Sequence, residues 1–216
     1  MKVTAKTIKA LCIMYTIHRN QKDKADAPYW LHPLRVGSSM EDEGMTAVAL
    51  LHDVVEDYGK AMPQWNGFAE FLHQLFWADF FLALQVALFL TINGSPISTK
   101  DLKKIASAED KNTFFKKVCK EVALLPEEEE ALCLLTRDKS VLYDEYIEKI
   151  STSVIATKVK LADLKDNCNL SRLSEEMRCQ EDTQKRQRKY EKAAERLEQS
   201  LLARKGKPGP KLIKKM

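Results

Sequence analysis

Helix-breaking residues are the scarce ones in this chain: seven glycines and seven prolines interrupt 216 residues. Between them run long stretches of Ala, Leu, Lys and Glu, the residue types that lose least on entering a helix. The breakers also cluster, at Pro28 and Pro33, at Gly44, at Asn93-Gly94-Ser95-Pro96, at Pro126 and in the run Gly206 to Pro210. A strand-rich fold would need turn chemistry roughly every 8–12 residues. The chain is therefore expected to be all-α. With hydrophobic residues at 44% and aromatic residues at 8%, it can bury one ordinary core.

Helical spacing of Val3, Ile8, Leu11, Cys12, Tyr15 and His18 predicts a first helix over 3–18. A second is expected to begin near Pro33, and a strongly apolar third runs from Met45 to Asp57. Later helices are expected up to Leu135, near Tyr143–Ile150, from about Ile155 to Leu173, and from Glu181 to Arg204. The domain is expected to fill 1–205, with a helical insertion over 61–121 and a disordered basic tail over 206–216. No synthetase domain is expected after residue 173. The bulkiest segment, Phe76 to Ile92, includes thirteen uncharged residues from Phe80 onward. A membrane span needs about 20, so this helix is expected in the core or in a subunit contact of a homo-oligomer, not in a membrane.

Cys12, Cys119, Cys133, Cys168 and Cys179 form no Cys-x-x-Cys pair, and no secretory leader is expected ahead of them. A reducing cytoplasm suits them. The net charge of +4 hides an asymmetry, because twelve Lys/Arg face three Glu from residue 184 onward, leaving −5 on residues 1–183. The basic end carries one aromatic residue, Tyr190. It offers no stacking platform for nucleic acid and is expected to be a solvated charged face.

The chemistry concentrates in Ala47-Val48-Ala49-Leu50-Leu51-His52-Asp53-Val54-Val55-Glu56-Asp57, where an apolar helix suddenly displays one histidine and three carboxylates. If the helix continues, His52 and Glu56 are i,i+4, as are Asp53 and Asp57. Carboxylates crowded this way repel unless a cation lies among them. His18, His32 and His52 all stand at the ends of apolar runs or beside a proline, and Asp163 closes the short run Val159-Lys160-Leu161-Ala162. Two imidazoles and two carboxylates from separate helices make a mixed nitrogen and oxygen site suited to Mn²⁺, Fe²⁺ or Zn²⁺. His73, among Phe71, Leu72, Leu75 and Phe76, has no acidic neighbour in phase and is set aside.

The order His18, His52-Asp53, Asp163 resembles the H…HD…D pattern of the HD superfamily of metal phosphohydrolases. The surrounding text narrows the likeness. His18-Arg19-Asn20-Gln21, Pro28-Tyr29-Trp30-Leu31-His32-Pro33-Leu34, Leu50-Leu51-His52-Asp53-Val54-Val55-Glu56-Asp57 and Lys160-Leu161-Ala162-Asp163-Leu164-Lys165-Asp166-Asn167 are similar to segments of RelA/SpoT-type guanosine-polyphosphate pyrophosphohydrolases and their small single-domain relatives. The resemblance implies an HD helical bundle. It implies that His18, His52, Asp53 and Asp163 bind manganese or another divalent transition metal, and that Glu56 and Asp57 activate water. It implies that Asn167 lines the nucleotide pocket while Tyr29 and His32 shape it, and that the substrate is guanosine tetra- or pentaphosphate, cleaved at its 3′-pyrophosphate.

Non-bridging phosphate oxygens need cationic partners. Arg19, Lys22, Arg137, Lys139 and Lys160 are the candidates, with Arg137 and Lys139 foremost. Departures from the family pattern fall at Leu164, where a basic residue is usual, at Asp26-Ala27, where a glycine is common, and in the long stretch from Asp57 to Thr136. They leave two other functions in view, an HD phosphohydrolase of another nucleotide and a non-catalytic, antitoxin-like binding module.

Overall fold

The computed structural model describes residues 1–58 and 68–205, and the expected tail at 206–216 lies outside them. The described residues are all-α. Their helices are α1 (Ala5–His18), α2 (Leu31–Ser38), α3 (Glu43–Leu51), α4 (Phe68–Ala78), α5 (Phe80–Asn93), α6 (Thr99–Ala106), α7 (Lys111–Val122), α8 (Pro126–Leu135), α9 (Tyr143–Ile150), α10 (Val154–Cys168), α11 (Glu175–Cys179) and α12 (Glu181–Lys205). Among the described residues β structure is limited to an isolated bridge between Lys22 and Pro28.

α1 and α3 form the centre of the bundle, and both are apolar around nearly their whole circumference, as a helix enclosed by others must be. Each starts on a side-chain cap: Thr4 Oγ1 accepts from the Thr7 amide at 3.2 Å, and Asp42 Oδ1 from the Met45 amide at 2.7 Å. α2 and α8 pack against α3, and α10 packs against α8, α2 and α12. α2 approaches α3 so closely that a Cβ on Gly37 would stand 2.9 Å from the Leu50 side chain. The core therefore holds the C-terminal ends of α1 and α3, the start of α2 and the middle of α10 against one another.

The apolar run 45–57 does not stay helical to its end. α3 stops at Leu51, and Val54 N–H donates to Leu51 O at 2.9 Å while Tyr58 N–H donates to Val55 O. This tightening keeps Val54 and Val55 buried and turns His52 and Asp53 toward α2 and α10.

Between 68 and 122 the chain forms α4 to α7. Asp79 caps α5 at 2.9 Å from the Leu82 amide, and Gly94 ends it with φ of 72°, a left-handed conformation that favours glycine. On α5, Leu82, Ala83 and Val86 are buried, but Phe80, Phe81, Leu84, Leu88 and Ile92 are exposed. A core placement thus holds for one side of this helix and not for the other. All five cysteines are free, and burial pushes the Cys119 thiol up to about 12. No helix among the described residues is long and apolar enough to cross a membrane.

Candidate metal centre

Four side chains from three parts of the fold meet where α2, the end of α3 and α10 come together. His52, the C-cap of α3, donates from Nδ1 to Ala49 O at 2.7 Å. A carbonyl can only accept, so this bond fixes the tautomer and leaves Nε2 facing outward. Nε2 lies 3.1 Å from Asp53 Oδ2 and 3.7 Å from Asp163 Oδ1. It is buried and makes no aligned hydrogen bond.

His32, in the first turn of α2, is held the same way. Its Nδ1 lies 2.7 Å from Asp166 Oδ2, and Asp166 is itself gripped by Arg35, Nε to Oδ1 at 2.6 Å and Nη2 to Oδ2 at 2.9 Å. Arg172 Nη2 adds a third contact at 3.2 Å. With Nδ1 engaged, His32 Nε2 points at Asp163 Oδ1, 3.1 Å away, and at Asp53 Oδ2, 3.7 Å away. One ligand atom each from His32, His52 and Asp53 lie within 4.8 Å of one another.

Neighbouring donors orient the carboxylates. Tyr29 Oη donates to Asp53 Oδ2 at 2.6 Å, Lys160 Nζ donates to Asp163 Oδ2 at 2.7 Å, and Asn167 Nδ2 donates to Asp163 Oδ1. Burial opposes the charge on Asp163, yet Lys160 and the two imidazoles outweigh it and hold the carboxyl well below its usual range. Burial likewise opposes an imidazolium at His52, but Asp53 and Asp163 raise its pKa well above the ordinary histidine value. Two imidazole nitrogens thus face two carboxylates whose pKa values are held low. Positive charge is required at that point, from bound protons or from a divalent cation, and the nitrogen and oxygen donors suit a transition metal. The backing of His32 by Asp166 and of His52 by a carbonyl is the arrangement that orients metal-bound histidines.

His18 lies outside this group. It is fully buried at the end of α1, with Nδ1 3.2 Å from Gln21 Oε1 and 3.4 Å from Asp57 Oδ2. Its ring is 5.1 Å from that of Tyr29, and its Nε2, like that of His52, is buried and makes no aligned hydrogen bond. The structure thus adds His32 to His52, Asp53 and Asp163, and places the expected ligand His18 beside Tyr29 with an unpartnered, buried Nε2.

Glu56 is at the outer edge of the site. Its Oε1 accepts from the Arg137 amide at 2.6 Å, and partial burial raises its pKa. Asp57 faces His18 instead. The Arg137 guanidinium stacks on Tyr143 and Tyr146, 5.4 and 5.8 Å from the ring centroids. Lys139 is exposed beyond it, in the turn before α9.

A cavity of about 380 Å³ opens beside the cluster. Tyr29, His32 and Asn167 form its inner wall, and Lys22, Arg172 and Arg186 surround it with positive charge, next to Tyr190. Arg186 and Tyr190 come from α12, the helix that composition alone presents as a solvated charged face. One signal marks them in the sequence, the lone aromatic Tyr190 one turn after Arg186 in an otherwise charged stretch. Asp166 was legible too, one turn after Asp163 on the same helix.

No protein-family model matches the chain. Over 53 residues it is 42% identical to a Synechocystis sp. (strain ATCC 27184 / PCC 6803 / Kazusa) protein named probable guanosine-3′,5′-bis(diphosphate) 3′-pyrophosphohydrolase. The match covers 23% of this chain and 7% of that protein. In that short stretch the chain is similar to a guanosine-polyphosphate pyrophosphohydrolase, and its described fold, all-α, is compatible with an HD helical bundle.

Proposed function

We propose that this protein is a metal-dependent phosphohydrolase that removes the 3′-pyrophosphate of guanosine tetra- or pentaphosphate, with His32, His52, Asp53 and Asp163 as ligands for manganese. The observation that carries the reading is the pair of buried imidazole nitrogens aimed at two ionised carboxylates. The local identity to a named pyrophosphohydrolase and the cationic cavity beside the cluster support it.

A divalent ion held there would acidify a bound water and offset charge on the phosphoryl oxygens. Glu56, at the outer edge with a raised pKa, accepts the proton of the attacking water. Tyr29 and Lys160 keep Asp53 and Asp163 in place through the step. Lys22, Arg172 and Arg186 receive the substrate phosphates, and Tyr190 offers a ring face to the base. The direct test is incubation of the manganese-loaded protein with guanosine tetraphosphate, followed by separation of the products. Pyrophosphate with guanosine diphosphate supports the reading, and orthophosphate with the tetraphosphate shortened by a single phosphate contradicts it.

Two variants separate the roles. Glu56→Gln removes a base with little change of volume, so metal content and melting temperature are expected to hold while kcat falls at least about 100-fold. Unchanged kcat would remove Glu56 from the proton transfer. Arg186→Ala is expected to raise KM about tenfold or more with a smaller change in kcat, because it binds phosphate away from the reacting bond. A loss confined to kcat would move Arg186 from binding to the chemical step.

A further inference from the structure

α5 is apolar on every side, and such a helix is stable only when it is enclosed. Its inner side is covered: Leu82, Ala83 and Val86 are buried, and α4 packs alongside. Its outer side is not covered by the described residues. Phe80, Leu84, Leu88 and Ile92 recur every four residues, so they form one stripe along the helix, with Phe81 beside it. Phe76 and Trp77 of α4 continue the stripe, the Phe76 ring lying 5.1 Å from that of Phe80.

These seven residues are between 47% and 76% exposed. At the area of such side chains this amounts to on the order of 900 Å² of apolar surface. The largest apolar patch of an ordinary monomer is roughly 300–600 Å², and one partner's share of a standard protein interface is about 800 Å². The patch is also held in place. Phe71 and Leu75 on the inner side of α4 are fully buried, the Phe71 ring lies 5.1 Å from that of Tyr15, and Glu70 meets Arg19 at 3.5 Å. Association would therefore order little that is not already ordered.

Charge selects the partner. From 68 to 99 the chain carries Glu70 and Asp79 and no Lys or Arg. Helices that lie on membrane surfaces depend on basic residues to reach anionic headgroups, and this segment has none. A second copy needs no such cations, and the two acids do not oppose it, because Asp79 is engaged as the α5 cap and Glu70 is paired toward α1. An uncharged stripe is complementary to itself under a two-fold axis. We propose that the α4–α5 hairpin pairs with the same hairpin of a second copy of this chain, burying the outer stripe in a two-fold dimer interface.

The test is sedimentation velocity on the full chain, from about 1 to about 100 µM, since interfaces of this size associate at micromolar concentrations or below. The expected result is a species of twice the 24.7 kDa chain mass. Leu84→Asp with Leu88→Asp is expected to give a monomer of unchanged far-ultraviolet circular dichroism, as both side chains are more than half exposed. Leu202→Asp, an exposed leucine on α12, is expected to leave the dimer intact. Should the double variant unfold, Trp77→Ser on α4 decides in its place. A wild-type monomer across the whole range, or a dimer that survives the stripe substitutions, overturns the proposal. So does a monomer that floats with phosphatidylcholine–phosphatidylglycerol vesicles, which would put lipid on this face.

Discussion

Purified from manganese-supplemented medium, the His32→Ala protein is expected to carry less than about a tenth of the wild-type metal and to lose turnover by at least about 100-fold. His32 Nε2 sits between Asp163 and Asp53, at 3.1 and 3.7 Å, while His18 Nδ1 faces Gln21 and Asp57 and its Nε2 is buried without a hydrogen-bond partner. Asp166→Asn is expected to fall between His32→Ala and the wild type, with metal affinity down about 10–100-fold, because His32 stays but its backing carboxylate is neutralised. Metal can be counted by mass spectrometry and checked by melting. At 100 times its dissociation constant manganese should stabilise the wild type by about 2.7 kcal/mol, and His32→Ala far less. Should His18→Ala lose its metal while His32→Ala retains it, the assignment of ligands from this geometry fails.

The largest effect on stability is expected far from that centre, at Glu128. Its side chain, in the first turn of α8, is buried and bonded to Lys6 Nζ at 2.8 Å and to the Leu125 amide at 2.8 Å, in a space left open by Gly44, where a Cβ would collide with it. Glu128→Ala strands a largely buried ammonium and an amide at the start of α8, a loss of about 3–5 kcal/mol. Pairing Glu128→Met with Lys6→Met is expected to recover most of it, since an apolar pair needs no counter-charge. Urea unfolding reads both, through the midpoint at constant m. A cost below about 1 kcal/mol for Glu128→Ala would show that water reaches Lys6 and that the pair does not hold α1 to α8.

Some of this architecture can be read from the chain directly, and the exceptions share a cause. Tyr143–Ile150 and the end of α8 at Leu135 follow from apolar spacing and from Pro126, and α12 from its charge pattern. These are local signals. The His52-Asp53 pair is equally local. Which second imidazole faces it is not, because His32 is turned there by Asp166, more than a hundred residues later. The end of α3 at Leu51 is hidden because Val54 and Val55 continue the apolar run after the backbone has changed its bonding. On α5 the composition announces a covered helix, and only the packing of α4 tells which side is covered within one chain. Arg186 and Tyr190 were missed for the same reason: a charged helix does not declare which of its residues lean over a cavity.

Asp166 is 134 positions from His32 along the chain. A ribosome adding about 5–20 residues per second needs on the order of ten seconds to cover that distance. For most of that interval, once Asp53 has been added, the nascent protein holds His32, His52 and Asp53 without Asp163 or the carboxylate that turns His32 inward. The order of synthesis thus delays assembly of the cluster until nearly the whole domain is made. A product truncated before α10 would carry the recognisable His-Asp motif and have no centre to go with it.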